Sequence, residues 1–110
     1  MVKLDNTFTN NTIKIGENQE DNSDIIKKSK QNDIWFHLAE FPSCHVIMSA
    51  DSKHAITKKM IVYCANLVKE NSRYKNLKNL RVNYCQIKNI KKTDTKGKVK
   101  IKSQANTIII

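Results

Sequence analysis

Residues 31–48, QNDIWFHLAEFPSCHVIM, decide the fold of this chain and contain its only tryptophan and its only proline. Alternation in the first half predicts a strand with two different faces. The apolar face consists of Ile34, Phe36 and Leu38. Trp35 and His37 lie on the other face, where they form either a second buried layer or a ligand surface. Because proline makes the residue before it extended, Pro42 predicts a turn into a second strand, HVIM.

The segments on either side predict the remaining elements. NTIKIG (residues 11–16) alternates like a short strand, and residues 22–30 predict a short helix with Asn22 or Ser23 as its N-cap. Residues 55–72 repeat apolar side chains at helical spacing, which predicts the long helix. Its stripe consists of Met60, Ile61, Cys64, Leu67 and Val68. Next come a strand LRVNYCQIKNIKK, a turn ending in Gly97, and two strands in KVKIKS and NTIII.

This order of elements predicts an α+β fold, in which one long and one short helix pack on a mainly antiparallel sheet. At 110 residues the chain suits one domain, residues 1–110. The sequence starts without a signal peptide and has no apolar run long enough for a bilayer, so we expect a cytoplasmic protein without membrane contact. Three widely spaced cysteines are expected to be reduced thiols: Cys44, Cys64 and Cys85.

The net charge of +10 is unevenly distributed along the sequence. Residues 1–54 carry six lysines and eight acidic residues, whereas residues 55–110 carry fourteen basic residues and two acidic ones. A basic half of this kind indicates a polyanionic partner. The charge alone leaves open a solubility role, or lysine-rich codon usage in an AT-rich genome, as its cause.

The residue types that carry enzymatic and metal chemistry occur without the spacing they need. Cys44 and His45 are adjacent, so on a strand they point to opposite faces and form no nucleophile–base pair. The three histidines and three cysteines lack any tight ligand spacing for zinc. We therefore predict no catalytic residue, no metal and no cofactor. A small hydrolase using Cys44 or His37 is the enzymatic alternative.

Residues 81–103 predict a hairpin with a basic outer surface. In KVKIKS, Val99 and Ile101 turn inward, which leaves a row of lysines about 6–7 Å apart, twice the strand rise. The row consists of Lys98, Lys100 and Lys102. Four lysines flank it: Lys88, Lys91, Lys92 and Lys96. Only Asp94 opposes these seven lysines, and their spacing is close to that of phosphates along a nucleic-acid strand. A solvated face or a protected sheet edge is the alternative.

The segment DIWFHLAEFPSCHVIM resembles the RNA-binding domain of the NFACT family of ribosome quality-control proteins. Its matching positions are Asp33, Trp35, Phe36, His37, Pro42, His45 and Val46. Upstream the resemblance continues at Gly16, Asn18, Asn22 and Asp24, and downstream at Lys91, Lys92, Gly97 and Val99. Ser43 replaces the glycine of the turn, as in the stand-alone eukaryotic branch of the family, which the sequence resembles most.

The resemblance implies a module that binds RNA, either tRNA or ribosomal RNA, in translation or ribosome quality control. The charge pattern independently indicates a polyanion, and phosphate contacts alone leave double-stranded DNA open as a partner. A ribosome-associated protein that docks on a sheet edge or on the Trp35 face is the alternative from another class. The nucleic-acid-binding residues predicted are Arg81, Lys88, Lys91, Lys92, Lys96, Lys98, Lys100 and Lys102, with Trp35 and His37 as base or sugar contacts.

Overall fold

A computed structural model describes residues 1–110 as a six-stranded antiparallel sheet with two helices and a separate two-stranded hairpin. The strands of the large sheet are β1 (Lys3–Asp5), β2 (Ile13–Gly16), β3 (Ile34–Leu38), β4 (His45–Met48), β5 (Arg81–Gln86) and β8 (Asn106–Ile109). They lie in the order β1-β2-β4-β3-β5-β8. Helix α1 spans Gln19–Lys28 and helix α2 spans Lys58–Glu70. The predicted α+β class is confirmed.

The two strands of residues 31–48 form the centre of the sheet. β3 pairs with β4 on one side and β5 on the other, with Trp35 opposite Ile47 and Cys85. Because side chains alternate along a strand, this register places Phe36 and Trp35 on opposite faces of the sheet. The predicted strand pair with a turn at Pro42 is therefore confirmed.

Both faces of the sheet are covered, so the domain has two apolar clusters. Helix α2 packs on one face, where the fully buried side chains include Phe36, Leu38, Val46, Cys64 and Val68. Helix α1 and the hairpin cover the other face, where the second cluster consists of Ile25, Ile26, Trp35, Ile47, Cys85, Ile87 and Ile90. The outer elements thus fix Trp35 as part of a second buried layer. Neither helix has the length and apolar character needed to span a membrane.

The start of α1 corrects one prediction. The N-cap is Asn18, whose side chain accepts a hydrogen bond from the backbone N–H of Asp21 at 2.9 Å. Asn22 and Ser23, the predicted caps, lie inside the helix. Asn22 has another role, since its Oδ1 accepts from the backbone N–H of His45 at 3.2 Å. Asparagine suits both positions because its short side chain bonds directly to backbone groups.

The predicted long strand LRVNYCQIKNIKK is wrong, because the chain breaks into two strands. β5 ends at Gln86, a 3₁₀ turn follows at Ile87–Asn89, and β6 (Ile90–Lys92) pairs only with β7 (Val99–Ile101). The turn lets the chain leave the large sheet and fold over its face. Ile87 and Ile90 are both buried in the cluster that includes Ile25 and Ile26 of α1. The apolar residues of this segment therefore look like one strand in the sequence, although they belong to two strands that run in different directions. Strand β1 was not predicted.

Candidate nucleic-acid interface

The β6–β7 hairpin presents its lysines as the alternation predicted. Val99 and Ile101 are half-buried and pack toward the second cluster, whereas Lys98, Lys100 and Lys102 are exposed. Lys88 and Lys91 are also exposed. The hairpin is separate from the large sheet and packs only its inner side chains against the second cluster, so these lysines face solvent.

Two of these lysines lie directly opposite each other across the hairpin. Lys91 of β6 pairs with Lys100 of β7 in the register of the two strands. Like charges at this position destabilise a strand pair unless an anion lies between them. Lys92 is opposite Val99 and alternates onto the face that turns to α1, yet it too is exposed. The hairpin thus concentrates positive charge that the protein itself leaves uncompensated.

The tip of the hairpin docks on the first turn of α1. Lys96 Nζ lies 2.7 Å from Glu20 Oε1, and Lys96 is the only hairpin lysine in an ion pair. Gly97 has φ of 78°, and a Cβ added there would lie 2.7 Å from the backbone oxygen of Gln19. Only glycine combines this conformation with such a close approach. Contacts between residues far apart in sequence therefore hold the hairpin over the sheet.

Arg81 begins β5 and pairs with the turn between β3 and β4. Its guanidinium is 3.5 Å from Glu40 Oε1. Glu40 also lines a cleft to which Lys96 and Lys98 of the hairpin tip contribute. Arg81 therefore borders the tip side of the hairpin, and like Lys96 it already has an acidic partner.

The C-terminal end of α1 adds basic residues that the sequence reasoning had missed. Lys27 borders the same groove as Lys88, Lys92 and Lys102. Lysines at a helix C-terminus are also favourable partners of the helix dipole, so their presence in α1 does not by itself indicate a binding surface. Their charge excess was a signal in the sequence, but only the packing of α1 beside the hairpin brings them to the basic surface.

Trp35 is a core residue with a polar role. Its side chain is 3% exposed, and its Nε1–H donates a hydrogen bond to His45 Nδ1 at 3.2 Å. The sequence left Trp35 either in a second buried layer or on a ligand surface, and the structure places it in the buried layer. The indole therefore has no free face for base stacking. The hydrogen bond also connects β3 to the buried ring of His45 in β4.

His37 and His45 form an aromatic cluster with Trp35. The His37 ring stacks on the indole with 5.6 Å between centroids and meets the ring of His45 edge-on at 5.0 Å. Burial lowers the pKa of His37, and burial together with the neighbouring His37 lowers the pKa of His45 to about 3. Both rings are therefore neutral at pH 7.

Cys44 does not form a nucleophile–base pair with His45. Burial raises the pKa of the Cys44 thiol to about 11, so it is protonated near neutral pH. The side chain packs toward the α2 side of the sheet, whereas the His45 ring lies beside Trp35 on the other face. The structure also contains no group of three or more His, Cys, Asp or Glu residues placed to hold a metal ion.

Comparisons with known proteins identify the family. The profile of the NFACT protein RNA binding domain matches residues 1–103. Coiled-coil domain-containing protein 25 of Mus musculus is 36% identical over 86 residues, covering 74% of this chain and 41% of the mouse protein. The Danio rerio protein of that name is 34% identical over 86 residues, or 74% of this chain and 42% of its own length. The chain thus spans about two fifths of the length of these relatives.

A solved structure shares the fold. The C-terminal part of the fibronectin/fibrinogen-binding protein from Streptococcus suis superposes with a TM-score of 0.81, at 20% identity, over 91% of this chain and 40% of that chain. Fold likeness at this identity supports the architecture alone. The profile match is what carries the assignment, and it confirms the resemblance seen at residues 31–48. This chain belongs to the NFACT protein RNA binding domain family.

Proposed function

We propose that this nucleic-acid-binding module binds tRNA or ribosomal RNA, without catalysing a reaction, in translation or ribosome quality control in the cytoplasm. Phosphates are bound by the exposed lysines of the hairpin. These are Lys88, Lys91, Lys92, Lys98, Lys100 and Lys102. Lys96 contributes less than the others, since it already pairs with Glu20 at 2.7 Å.

The observation that carries this proposal is the Lys91–Lys100 pair. Two ammonium groups on directly opposite residues repel each other in the free protein. A phosphate placed between them removes that repulsion and gains two favourable contacts. On a surface that only contacts solvent, two opposed lysines cost stability without a compensating contact. On a phosphate-binding surface, the bound phosphate offsets that cost.

Lysine determines what kind of specificity this surface has. Each ammonium is a point charge that lacks the bidentate fork of arginine, so it recognises phosphate position rather than base identity. The hairpin is therefore expected to recognise the spacing of phosphates along the nucleic-acid backbone, with weak dependence on base sequence. The same argument makes double-stranded DNA the competing ligand.

A second candidate function rests on the edge of the sheet. β8 is an outer strand, and Ile109 within it is 60% exposed. An outer strand offers unpaired backbone groups to a segment of another protein. A ribosome-associated protein that adds a strand there is the partner this surface suits.

The test is fluorescence anisotropy with labelled tRNA, a ribosomal RNA hairpin and duplex DNA, measured across a salt series. The variant Lys98→Glu, Lys100→Glu, Lys102→Glu changes the row on β7 and its flanks. For four to six neutralised phosphates, a tenfold rise in salt is expected to lower the affinity for RNA by about three to five decades. The variant is expected to bind weakly and to show a flatter salt dependence.

The matched control is Lys58→Glu, Lys59→Glu, Lys75→Glu, which makes the same change in net charge. Two of its positions begin α2 on the opposite face of the sheet, and all three are exposed. If both variants lose the same affinity, net charge and not the hairpin is responsible. Absence of nucleic-acid binding at physiological salt would refute the proposal and favour the protein partner at β8.

A further inference from the structure

A cleft lies between the hairpin tip and the turn that joins β3 to β4. Its volume is about 490 Å³, within the range of small-molecule sites. Lys96, Gly97 and Lys98 form one wall, and residues 39–43 form the other. The floor includes His37 and His45.

The hydrogen bonds of the floor fix the tautomer of each histidine. Trp35 Nε1–H can only donate, so His45 Nδ1 is an acceptor and the proton of this neutral ring is on Nε2. His37 Nδ1 lies 2.6 Å from the carbonyl oxygen of Leu38, which can only accept. His37 therefore carries its proton on Nδ1, and its Nε2 is an acceptor.

The two free nitrogens of these rings are complementary. His45 is 4% exposed, and its Nε2–H has no protein partner. No fully buried polar side-chain atom in the structure is unsatisfied, so this donor reaches the space of the cleft. One donor and one acceptor thus lie side by side, on rings whose centroids are 5.0 Å apart.

A hydroxyl group suits this pair because it both accepts and donates a hydrogen bond. An oxygen bonded to two nitrogens at about 2.8 Å each spans up to about 5.6 Å, which is compatible with the separation of the rings. Trp35 is buried, so the floor offers polar edges rather than a stacking face. Lys98, on the wall of the cleft, forms no ion pair and can take a phosphate.

We propose that the cleft holds one unpaired ribonucleotide, whose 2′-hydroxyl accepts from His45 Nε2–H and donates to His37 Nε2 while Lys98 binds its phosphate. This inference rests on the proposed function and adds what distinguishes RNA from DNA, since only RNA carries that hydroxyl. The cleft has the volume of a small-molecule site, so the expected ligand is a nucleotide of single-stranded or bulged RNA.

The experiment compares single-stranded RNA, DNA and 2′-O-methyl RNA of one sequence by anisotropy at fixed salt. Two lost hydrogen bonds predict about tenfold weaker binding of DNA. The 2′-O-methyl oxygen can still accept from His45 Nε2–H but cannot donate to His37 Nε2, so this RNA is expected to bind with an affinity between those of RNA and DNA. This comparison uses only the native protein and does not depend on the folding of a variant.

Two variants assign the effect to the cleft. His37→Phe keeps a ring beside Trp35 but removes the acceptor, and it is expected to lower the RNA-to-DNA ratio from about tenfold to about threefold, since the hydrogen bond from His45 remains. Lys100→Ala changes the hairpin outside the cleft and is expected to weaken both ligands equally, leaving that ratio unchanged. Circular dichroism checks that each variant folds.

The outcomes separate this inference from the proposed function. If the native protein binds RNA and DNA equally, with a salt dependence that the hairpin variant flattens, nucleic-acid binding stands and the cleft proposal is overturned. An RNA preference that His37→Phe leaves unchanged also overturns it. If neither acid binds, the proposed function itself fails.

Discussion

Acid is expected to destabilise this protein through its buried histidines, of which His45 has the larger pKa shift. Burial lowers its pKa from 6.5 to about 3 in the folded protein. Between these values the unfolded chain binds a proton that the folded protein does not, so the free energy of unfolding falls as the pH falls from 6.5 toward 3. At pH 4.5, two units below 6.5, the loss is about 3 kcal/mol. This is a large part of a typical stability of about 5–15 kcal/mol.

Burial and the neighbouring His37 cause this shift, and protonation of His45 would also break its hydrogen bond to Trp35. A protonated imidazole has two donors and no acceptor, so Nδ1 can no longer accept from the indole N–H. The variant His45→Asn keeps an acceptor near Nδ1 and removes the titration. Its free energy of unfolding is expected to fall by about 3 kcal/mol less than that of the native protein between pH 7 and 4.5.

Urea unfolding followed by the fluorescence of Trp35 measures both proteins at each pH. Carboxylates titrate in both, so their contribution cancels in the comparison. Parallel pH profiles for native protein and His45→Asn would refute the argument. NMR of the native protein is an independent check, since a His45 ring that titrates near pH 6.5 would also contradict it.

Three further predictions concern single positions. Gly97→Ala is expected to lower the free energy of unfolding by at least about 1–2 kcal/mol, because φ is 78° and the added methyl meets Gln19; urea unfolding measures this. Asn18→Ala removes the cap of α1 and is expected to cost about 1 kcal/mol in the same assay, whereas Asn32→Ala, outside any helix, changes little. Cys44, with its pKa near 11, is expected to react with iodoacetamide far more slowly at pH 7.5 than free cysteine does; equal rates would contradict its burial.

The predictions that succeeded concern patterns within a few consecutive residues. The alternation in residues 31–48 placed Phe36 and Trp35 on opposite faces, and the helical stripe placed Cys64 and Val68 against the sheet. Local periods determine such faces wherever one side is buried. The turn at Gly97 followed from its residue type in the same way.

The predictions that failed concerned positions where the local sequence suits two structures equally well. Asn18 and Asn22 are four residues apart and both suit an N-cap, so composition alone could not decide between them. The apolar residues from Val82 to Ile90 suit one long strand equally well. Packing against α1 bends the chain at Ile87, and that contact is not encoded in the local period.

By itself the sequence determined the α+β class, the two-faced central strands, the basic half and the family. All of these depend on the order and composition of residues along the chain. Only the tertiary structure decided which charged and polar groups meet. Lys96 joins Glu20 across 76 positions of the chain, Trp35 meets His45 across 10, and Arg81 lies 3.5 Å from Glu40. Such side-chain contacts depend on how the helices and strands pack, because the whole fold and not the neighbouring sequence decides which side chains come close in space.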